Sequence, residues 1–276
     1  MAGCGTKEIR LMGTTGGPGA EPGAFIKYQK TTHLFGSKLA DQDKMLTERE
    51  TRDLLKKNNL NFVWESKLDG TNTGISFVAD GKLQAQNRGR FLSSGEHQQY
   101  QIFLAWASTY SGRLEKVLGR RFILFGEWVY ALHTVLYRTL PHYMNEFDIW
   151  DRERGIFLST PKRNEMLAGL VADNVLAQVP VVYPRADAKN WLEKSGKLTL
   201  EEARNLMLSH GPMYGEEKPE GLYLKVEKGD EVVARYKLVR DEFIQKIIND
   251  NVHWRSRPVT VQGLAPGVDI FAAKTE

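Results

Sequence analysis

The chain has 276 residues, enough for a sizeable hydrophobic core, and its 41% hydrophobic and 26% charged residues exclude a disordered or fibrous protein. The net charge of +4 permits a polyanionic partner without requiring one. Cys4 is the only cysteine, which excludes an intramolecular disulfide and a cysteine metal cage, and no apolar run approaches the roughly 18 residues of a membrane span. We therefore expect an intracellular protein, in the cytoplasm or the nucleus or nucleoid, with no membrane partner.

The composition divides the chain into three parts. Residues 1–24 are rich in glycine and proline and predict a flexible lead-in. Residues 25–254 carry periodic apolar patterns and predict one compact domain, and residues 255–276 predict an irregular tail.

The periodic patterns predict helices and strands in mixed order. Apolar residues at helical spacing, together with capping boxes that begin at Thr47 and Thr199, predict helices. These helices cover 46–58, about 97–117, 160–174, 199–211 and 241–252. Alternating or continuous apolar runs predict strands and hairpins at 61–67, 73–88, 121–130, 145–159, 179–183 and 221–239. Because the order lacks a regular βαβ rhythm, it favours an α+β fold of mainly antiparallel sheets with flanking helices.

The stretch "ESKLDGTNTGISF" places Lys67 at the end of a predicted strand, followed by small and polar residues. A lysine nucleophile needs a neutral amine, and both burial and nearby positive charge lower a lysine pKa. Asp69 and Asn72 could contact a substrate, and Gly70 could let a ligand approach the backbone closely. Taken alone, the same pattern fits an exposed Lys-Asp turn.

Charged residues recur in later apolar strands. "FGEWVY" contains Glu127, "EFDIWD" contains Phe147 and Asp148, and these carboxylates are costly to bury unless they meet a cation, a metal or a ligand. "EGLYLK" joins Glu220 to Lys225, and "RYK" places Arg235 and Lys237 on one face of a strand. Each segment alone also fits a salt bridge, a core aromatic or a solvated strand face.

The order of these segments resembles the covalent nucleotidyltransferase superfamily of polynucleotide ligases and RNA capping enzymes. Lys67-Leu68-Asp69-Gly70 matches its lysine motif, and Asn72 extends the match to the form found in RNA ligases. The later motifs are matched by Arg88, Glu127, Phe147, Glu220 with Lys225, and Arg235 with Lys237. Within the superfamily the chain is most similar to ATP-dependent RNA ligases of the RNA ligase 2 type.

The resemblance implies a ligase-type adenylyltransferase domain. Since 276 minus 237 leaves 39 residues after Lys237, we expect no C-terminal OB-fold. It implies Lys67 as the nucleophile that forms a lysine-AMP intermediate, with Lys225, Arg235 and Lys237 holding the α-phosphate and lowering the pKa of Lys67. The implied nucleotide-binding residues are Glu65, Asp69, Gly70, Asn72, Arg88, Glu127, Phe147 and Glu220.

The resemblance also implies cofactors and partners. ATP would be the AMP donor, and Mg²⁺ or Mn²⁺ would be held by Glu127 and Glu220, directly or through water, and by Asp148. The RNA partner would carry 5′-phosphate and 3′-hydroxyl ends, for example at a nick in a duplex. None of the six histidines has metal-ligand spacing, and His133 is the strongest candidate among them for a catalytic role.

Three alternatives remain open from the sequence. A DNA nick ligase and a capping-type guanylyltransferase share the lysine chemistry, and a non-catalytic RNA-binding relative would bind RNA without forming a covalent adduct. The oligomeric state is also open.

Overall fold

The computed structural model describes residues 19–39, 43–184, 196–250 and 256–272. Most of the predicted lead-in, including Cys4, lies outside the described residues, as do the last two residues of the helix predicted at 241–252. Among the described residues, no helix has both the length and the apolar character needed to cross a membrane.

Eleven strands and six helices lie in the described residues. The strands are β1 (Thr32–His33), β2 (Asn61–Lys67), β3 (Thr71–Phe77), β4 (Leu83–Asn87), β5 (Phe122–Trp128), β6 (Met144–Asp151), β7 (Ile156–Leu158), β8 (Ala177–Gln178), β9 (Val181–Tyr183), β10 (Gly221–Lys228) and β11 (Glu231–Val239). The helices are α1 (Glu48–Leu55), α2 (Gln98–Thr109), α3 (Ser111–Leu118), α4 (Thr160–Ala172), α5 (Leu200–Ser209) and α6 (Asp241–Asp250).

The strands form one continuous sheet in the order β4-β3-β5-β6-β7-β11-β10-β2-β9. Every ladder along this path is antiparallel, while β1 joins β11 and β8 joins β6 in parallel. The predicted α+β class with mainly antiparallel strands and flanking helices is therefore confirmed. The described residues contain no OB-fold in addition to this sheet.

Two large hydrophobic clusters hold the helices on the sheet. Helices α2, α3, α4 and α6 pack with β3 and β5 in the first cluster, whose central side chains include Trp106 and Trp128. Helices α1 and α5 pack on β2, β10 and β11 in the second cluster, which contains Phe62 and Trp64. Because side chains alternate along a strand, β2 turns Phe62 and Trp64 to this core and turns Glu65 to the opposite face.

The helix predicted over 97–117 is two helices. The backbone leaves helical geometry at Tyr110, with φ −103° and ψ 14°, and this residue ends α2 and precedes α3. The surrounding Thr109, Ser111 and Gly112 are weak helix formers, so little helix propensity opposes the break.

The strand predicted at 179–183 begins only at Val181, because Pro180 has no N–H to donate to a strand ladder.

The predicted capping boxes are confirmed. Thr47 and Thr199 each accept a hydrogen bond from the backbone N–H three residues later, and a glutamate at that position bonds back to the cap. Gly81 takes a positive φ of 88° in the turn that joins β3 to β4.

Candidate active site

A cavity of about 720 Å³ opens beside the end of β2. This size is typical of small-molecule sites. We call it the Lys67 cavity. The predicted site residues that line it are Glu65, Lys67, Gly70, Asn72, Arg88, Glu127, Phe147, Glu220 and Lys237. Four predicted site residues are not among its lining residues: Asp69, Asp148, Lys225 and Arg235.

Lys67 is the last residue of β2 and pairs in register with Gly221 of β10. This register brings Glu220 to it: Glu220 N–H donates to the Lys67 carbonyl at 3.1 Å, and Lys67 Nζ donates to Glu220 Oε2 at 2.6 Å. Burial lowers the pKa of Lys67, but the carboxylates of Glu220 and Glu127 together raise it by more. The net pKa therefore lies above the ordinary lysine value. The expectation of a lowered Lys67 pKa is therefore wrong for this arrangement, because carboxylates outweigh the neighbouring cations.

Glu127 lies in β5, directly opposite Asn72 of β3. Burial raises the pKa of Glu127 to about 7, against the opposing charges of Lys67 and Arg88. The side chain of Asn72 is 8% exposed, and its buried Oδ1 accepts no hydrogen bond. A buried acceptor without a donor is costly, so Asn72 offers an unused polar contact in the wall of the cavity.

Gly70 lines the cavity, and packing also requires a glycine at this position. A Cβ at this position would lie 2.6 Å from the backbone oxygen of Trp128 and 2.7 Å from Val129 Cγ1. Its N–H also donates to Glu127 Oε1 at 3.0 Å. The glycine thus lets the turn after β2 lie directly on the end of β5, which is a reason for glycine that the sequence analysis did not give.

Asp69 also has a structural position, since it does not line the cavity. Its Oδ2 accepts hydrogen bonds from the backbone N–H groups of Thr134 and Val135, at 2.7 and 2.8 Å. Its own N–H donates to Tyr137 Oη at 2.9 Å. Burial raises the pKa of Asp69 to about 6. The predicted contact between Asp69 and the nucleotide is therefore replaced by a contact with the loop that follows β5.

Lys237 lies in β11 and reaches the cavity, where its Nζ donates to Asp43 Oδ2 at 2.9 Å. Burial and the charge of Lys67 lower the pKa of Lys237, whereas the hydrogen bond to Asp43 raises it. His33 Nε2 lies 2.9 Å from the same carboxylate oxygen. Sequence reasoning missed Asp43 and His33, because neither residue lies in one of the motifs matched from Lys67 to Lys237.

Lys225, Asp148 and Arg235 form an ion network behind the cavity wall. The Lys225 side chain is fully buried, with Nζ 3.0 Å from Glu65 Oε1 and 3.2 Å from Asp148 Oδ1. Arg235 Nη1 lies 3.0 Å from Asp148 Oδ2, and its guanidinium stacks over the Tyr28 ring at 4.3 Å. These pairs correct the expectation that Lys225 and Arg235 contact the α-phosphate and that Asp148 binds a metal, because their charges already neutralise one another.

Phe147 and Arg88 both line the Lys67 cavity. Phe147 lines the cavity from β6, and its ring meets that of Tyr28 edge-on with centroids 5.2 Å apart. Arg88 follows β4 and is exposed at the cavity. Further lining residues that sequence reasoning did not assign include Tyr28, Thr31, Tyr223 and Tyr100, and His133 also lines the cavity.

The described residues contain no group of three or more His, Cys, Asp or Glu side chains arranged to hold a metal ion. Glu127 and Glu220 nevertheless line the same cavity and offer carboxylate oxygens. Mg²⁺ binds in this manner, through one or two carboxylates with substrate phosphates and water as the other ligands. The residues present therefore fit a hydrated divalent ion held together with a bound phosphate.

Solved structures of Naegleria gruberi RNA ligase share this fold. A variant with ATP and Mn matches with a TM-score of 0.56 at 17% identity, over 85% of this chain and 62% of that chain. A variant with AMP and Mn matches with a TM-score of 0.55 at 16% identity, over 85% of this chain and 62% of that chain. The ligase with PPi matches with a TM-score of 0.54 at 16% identity, over 79% of this chain and 62% of that chain. The chain thus spans less than two thirds of the length of these neighbours.

A model of the RNA ligase family matches residues 60–239, which include every predicted motif from Lys67 to Lys237. The chain belongs to the RNA ligase family. A comparison with curated proteins finds no match.

Proposed function

We propose that this protein is an ATP-dependent RNA ligase that uses Lys67 as its nucleophile. It transfers AMP to a 5′-phosphate RNA end and joins that end to a 3′-hydroxyl. The observation that carries the proposal is the convergence of Lys67, Glu127, Glu220 and Lys237 on one cavity, although they are far apart in the sequence. Membership of the RNA ligase family and the ATP and AMP in the Naegleria gruberi structures support it.

In the first step, the Lys67 Nζ lone pair forms a bond to the α-phosphorus of ATP, and the bond from that phosphorus to pyrophosphate breaks. Nζ must lose a proton, and Glu220 Oε2 at 2.6 Å is the acceptor already hydrogen-bonded to it. Lys237, which lines the same cavity, supplies positive charge for the phosphate oxygens. Phosphoryl transfer depends mostly on such positioning and charge stabilisation.

The later steps use the same residues. An oxygen of the RNA 5′-phosphate forms a bond to the AMP phosphorus, and Lys67 leaves and regains a proton. A 3′-hydroxyl then attacks the 5′-phosphorus, loses its proton and releases AMP. Arg88, exposed at the cavity, is positioned to contact the ribose or the incoming 5′-phosphate.

The remaining lining residues would hold the nucleotide. Phe147 would stack on adenine, Glu65 would accept a hydrogen bond from its 6-amino group, and Asn72 Oδ1 would accept one from a nucleotide hydroxyl. A bound Mg²⁺ or Mn²⁺ would neutralise phosphate charge, and Glu127 and Glu220 would hold it. Lys225 would act indirectly, since it reaches Glu65 and not the cavity.

The decisive experiment is labelling with α-labelled ATP. We expect covalent AMP transfer to the wild-type protein and none to Lys67→Ala, while both proteins show a cooperative thermal unfolding transition. Undiminished labelling of Lys67→Ala refutes the assignment.

Substrate comparisons separate the rival functions. Labelling by GTP in place of ATP would indicate a capping-type enzyme. Sealing of nicked DNA in preference to nicked RNA would indicate a DNA ligase. Salt-dependent RNA binding with no covalent AMP would indicate a non-catalytic binder.

A further inference from the structure

Arg163 is a buried arginine that the proposed chemistry does not use. It lies in the first turn of α4 and is 2% exposed. Its Nη2 donates to Glu65 Oε1 at 2.7 Å, and its Nη1 donates to Glu146 Oε1 at 2.8 Å. A helix outside the sheet thus reaches one of the residues that line the Lys67 cavity.

The network around Glu65 is balanced in charge. Three carboxylates, Glu65, Glu146 and Asp148, face three cations. These cations are Arg163, Lys225 and Arg235. Removing one cation leaves an uncompensated buried carboxylate, which lowers its energy by taking up a proton.

The hydrogen bonds at Glu65 are unequal. Oε1 accepts from both Arg163 and Lys225, whereas Oε2 accepts no hydrogen bond but lies 3.0 Å from the Lys225 ammonium in an ion pair. Burial raises the pKa of Glu65, and the charges of Lys225 and Arg163 oppose that rise. The two cations at Oε1 therefore favour the charged form of Glu65 over its protonated form.

We propose that Arg163 is a positioning residue that determines base specificity, because it holds Glu65 as a charged acceptor for the 6-amino group of adenine. This inference rests on the proposed ATP site. Without Arg163, Glu65 and Glu146 lose the cation that they share, and Glu65 becomes a weaker acceptor for the amino group because less positive charge favours its ionised form. Hydrogen bonds to charged groups are stronger than neutral ones. The loss is therefore confined to nucleotides that carry the amino group.

The test compares ATP with purine riboside triphosphate, which lacks only the 6-amino group. Rates of covalent labelling give kcat/KM for each nucleotide. We expect kcat/KM for ATP, divided by kcat/KM for purine riboside triphosphate, to fall about tenfold in Arg163→Met, through a higher KM for ATP. If Arg163 had a purely structural role, its loss would lower kcat/KM equally for both nucleotides and leave the ratio unchanged. That result overturns the inference.

Two further variants keep the test decisive. Arg152→Met is the matched control: Arg152 is also buried, at 1% exposed, but donates to the carbonyls of Glu21 and Ala24 away from the cavity. We expect its ratio to equal that of the wild type, even if the variant is less stable. Glu65→Gln should lower the ratio like Arg163→Met, and the double variant should show no further fall. An additive fall in the double variant overturns the inference.

If Arg163→Met does not fold, Arg163→Gln serves in its place, since its amide can still donate a hydrogen bond to Glu65 but carries no charge. An unchanged ratio in a folded Arg163→Gln protein then overturns the inference. Absence of any labelling in the wild-type protein is a separate outcome, because it refutes the proposed function itself.

Discussion

The substitution Gly70→Ala separates two roles for the glycine that follows Lys67. If Gly70 only gave clearance to a nucleotide, alanine would weaken nucleotide binding and leave the free protein stable. The structure instead places the added Cβ 2.6 Å from the Trp128 oxygen and 2.7 Å from Val129 Cγ1. Real Cβ atoms essentially never approach a neighbour so closely, and one neighbour is backbone. We therefore expect the nucleotide-free protein itself to lose stability.

The size of the stability loss expected for Gly70→Ala depends on how rigidly its neighbours are held. Val129 is fully buried and its N–H donates to the Tyr143 carbonyl. The end of β5 therefore cannot move away from an added methyl group without a loss of stability. Inserting a methyl group into such a site costs about 1–3 kcal/mol. For a chain of this size, that corresponds to a fall of roughly 2–12 °C in melting temperature. The shift also displaces the Gly70 N–H from Glu127, so labelling of Lys67 should slow.

The assay combines thermal unfolding without nucleotide and labelling with α-labelled ATP. Gly169→Ala is the matched control, because Gly169 lies within α4 and a Cβ there would meet nothing within 4 Å. In a helix interior, alanine is favoured over glycine by about 1 kcal/mol, so this control should be neutral or more stable. A Gly70→Ala protein that melts with the wild type but binds ATP weakly would refute the packing argument.

Two predictions concern titrating groups in the cavity. Since burial raises the pKa of Glu127 from 4.5 to about 7, this carboxyl lowers the free energy of unfolding as the pH rises through that interval. Glu127→Gln should therefore be more stable than the wild type by up to about 3 kcal/mol at pH 8 but not at pH 4.5, in urea unfolding, while labelling falls. An equal difference at both pH values would contradict this. Asp43→Asn removes the bond that raises the pKa of Lys237, so Lys237 should lose its charge at lower pH and the alkaline decline of labelling should begin earlier. A pH profile identical to the wild type would show that Asp43 does not control Lys237.

Much of the fold could be predicted because its signals are local. The capping boxes at Thr47 and Thr199 and the turn at Gly81 depend on residues within a few positions of each other. The strand pattern of β11 also predicted that Arg235 and Lys237 share a face. The break at Tyr110 was not predictable, because apolar spacing continues through it and only the packing of two separate helices decides it.

The sequence by itself determined which residues take part in the site. Lys67, Glu127, Phe147, Glu220 and Lys237 were identified from the resemblance of their motifs, and of the order of those motifs, to the nucleotidyltransferase superfamily, and they line one cavity. These residues can be recognised from the sequence alone because each lies in a short motif on a strand.

Only the tertiary structure decided which charges meet. Lys67 pairs with Glu220 across 153 positions of sequence, and Lys237 pairs with Asp43 across 194. Arg163 reaches Glu65 from a helix that carries no motif. Arg235 is two residues from Lys237 on the same strand face, yet it lies behind the cavity wall and Lys237 lines it. Strand register and helix packing fix these pairs, and both depend on contacts between distant parts of the chain that no local spacing encodes.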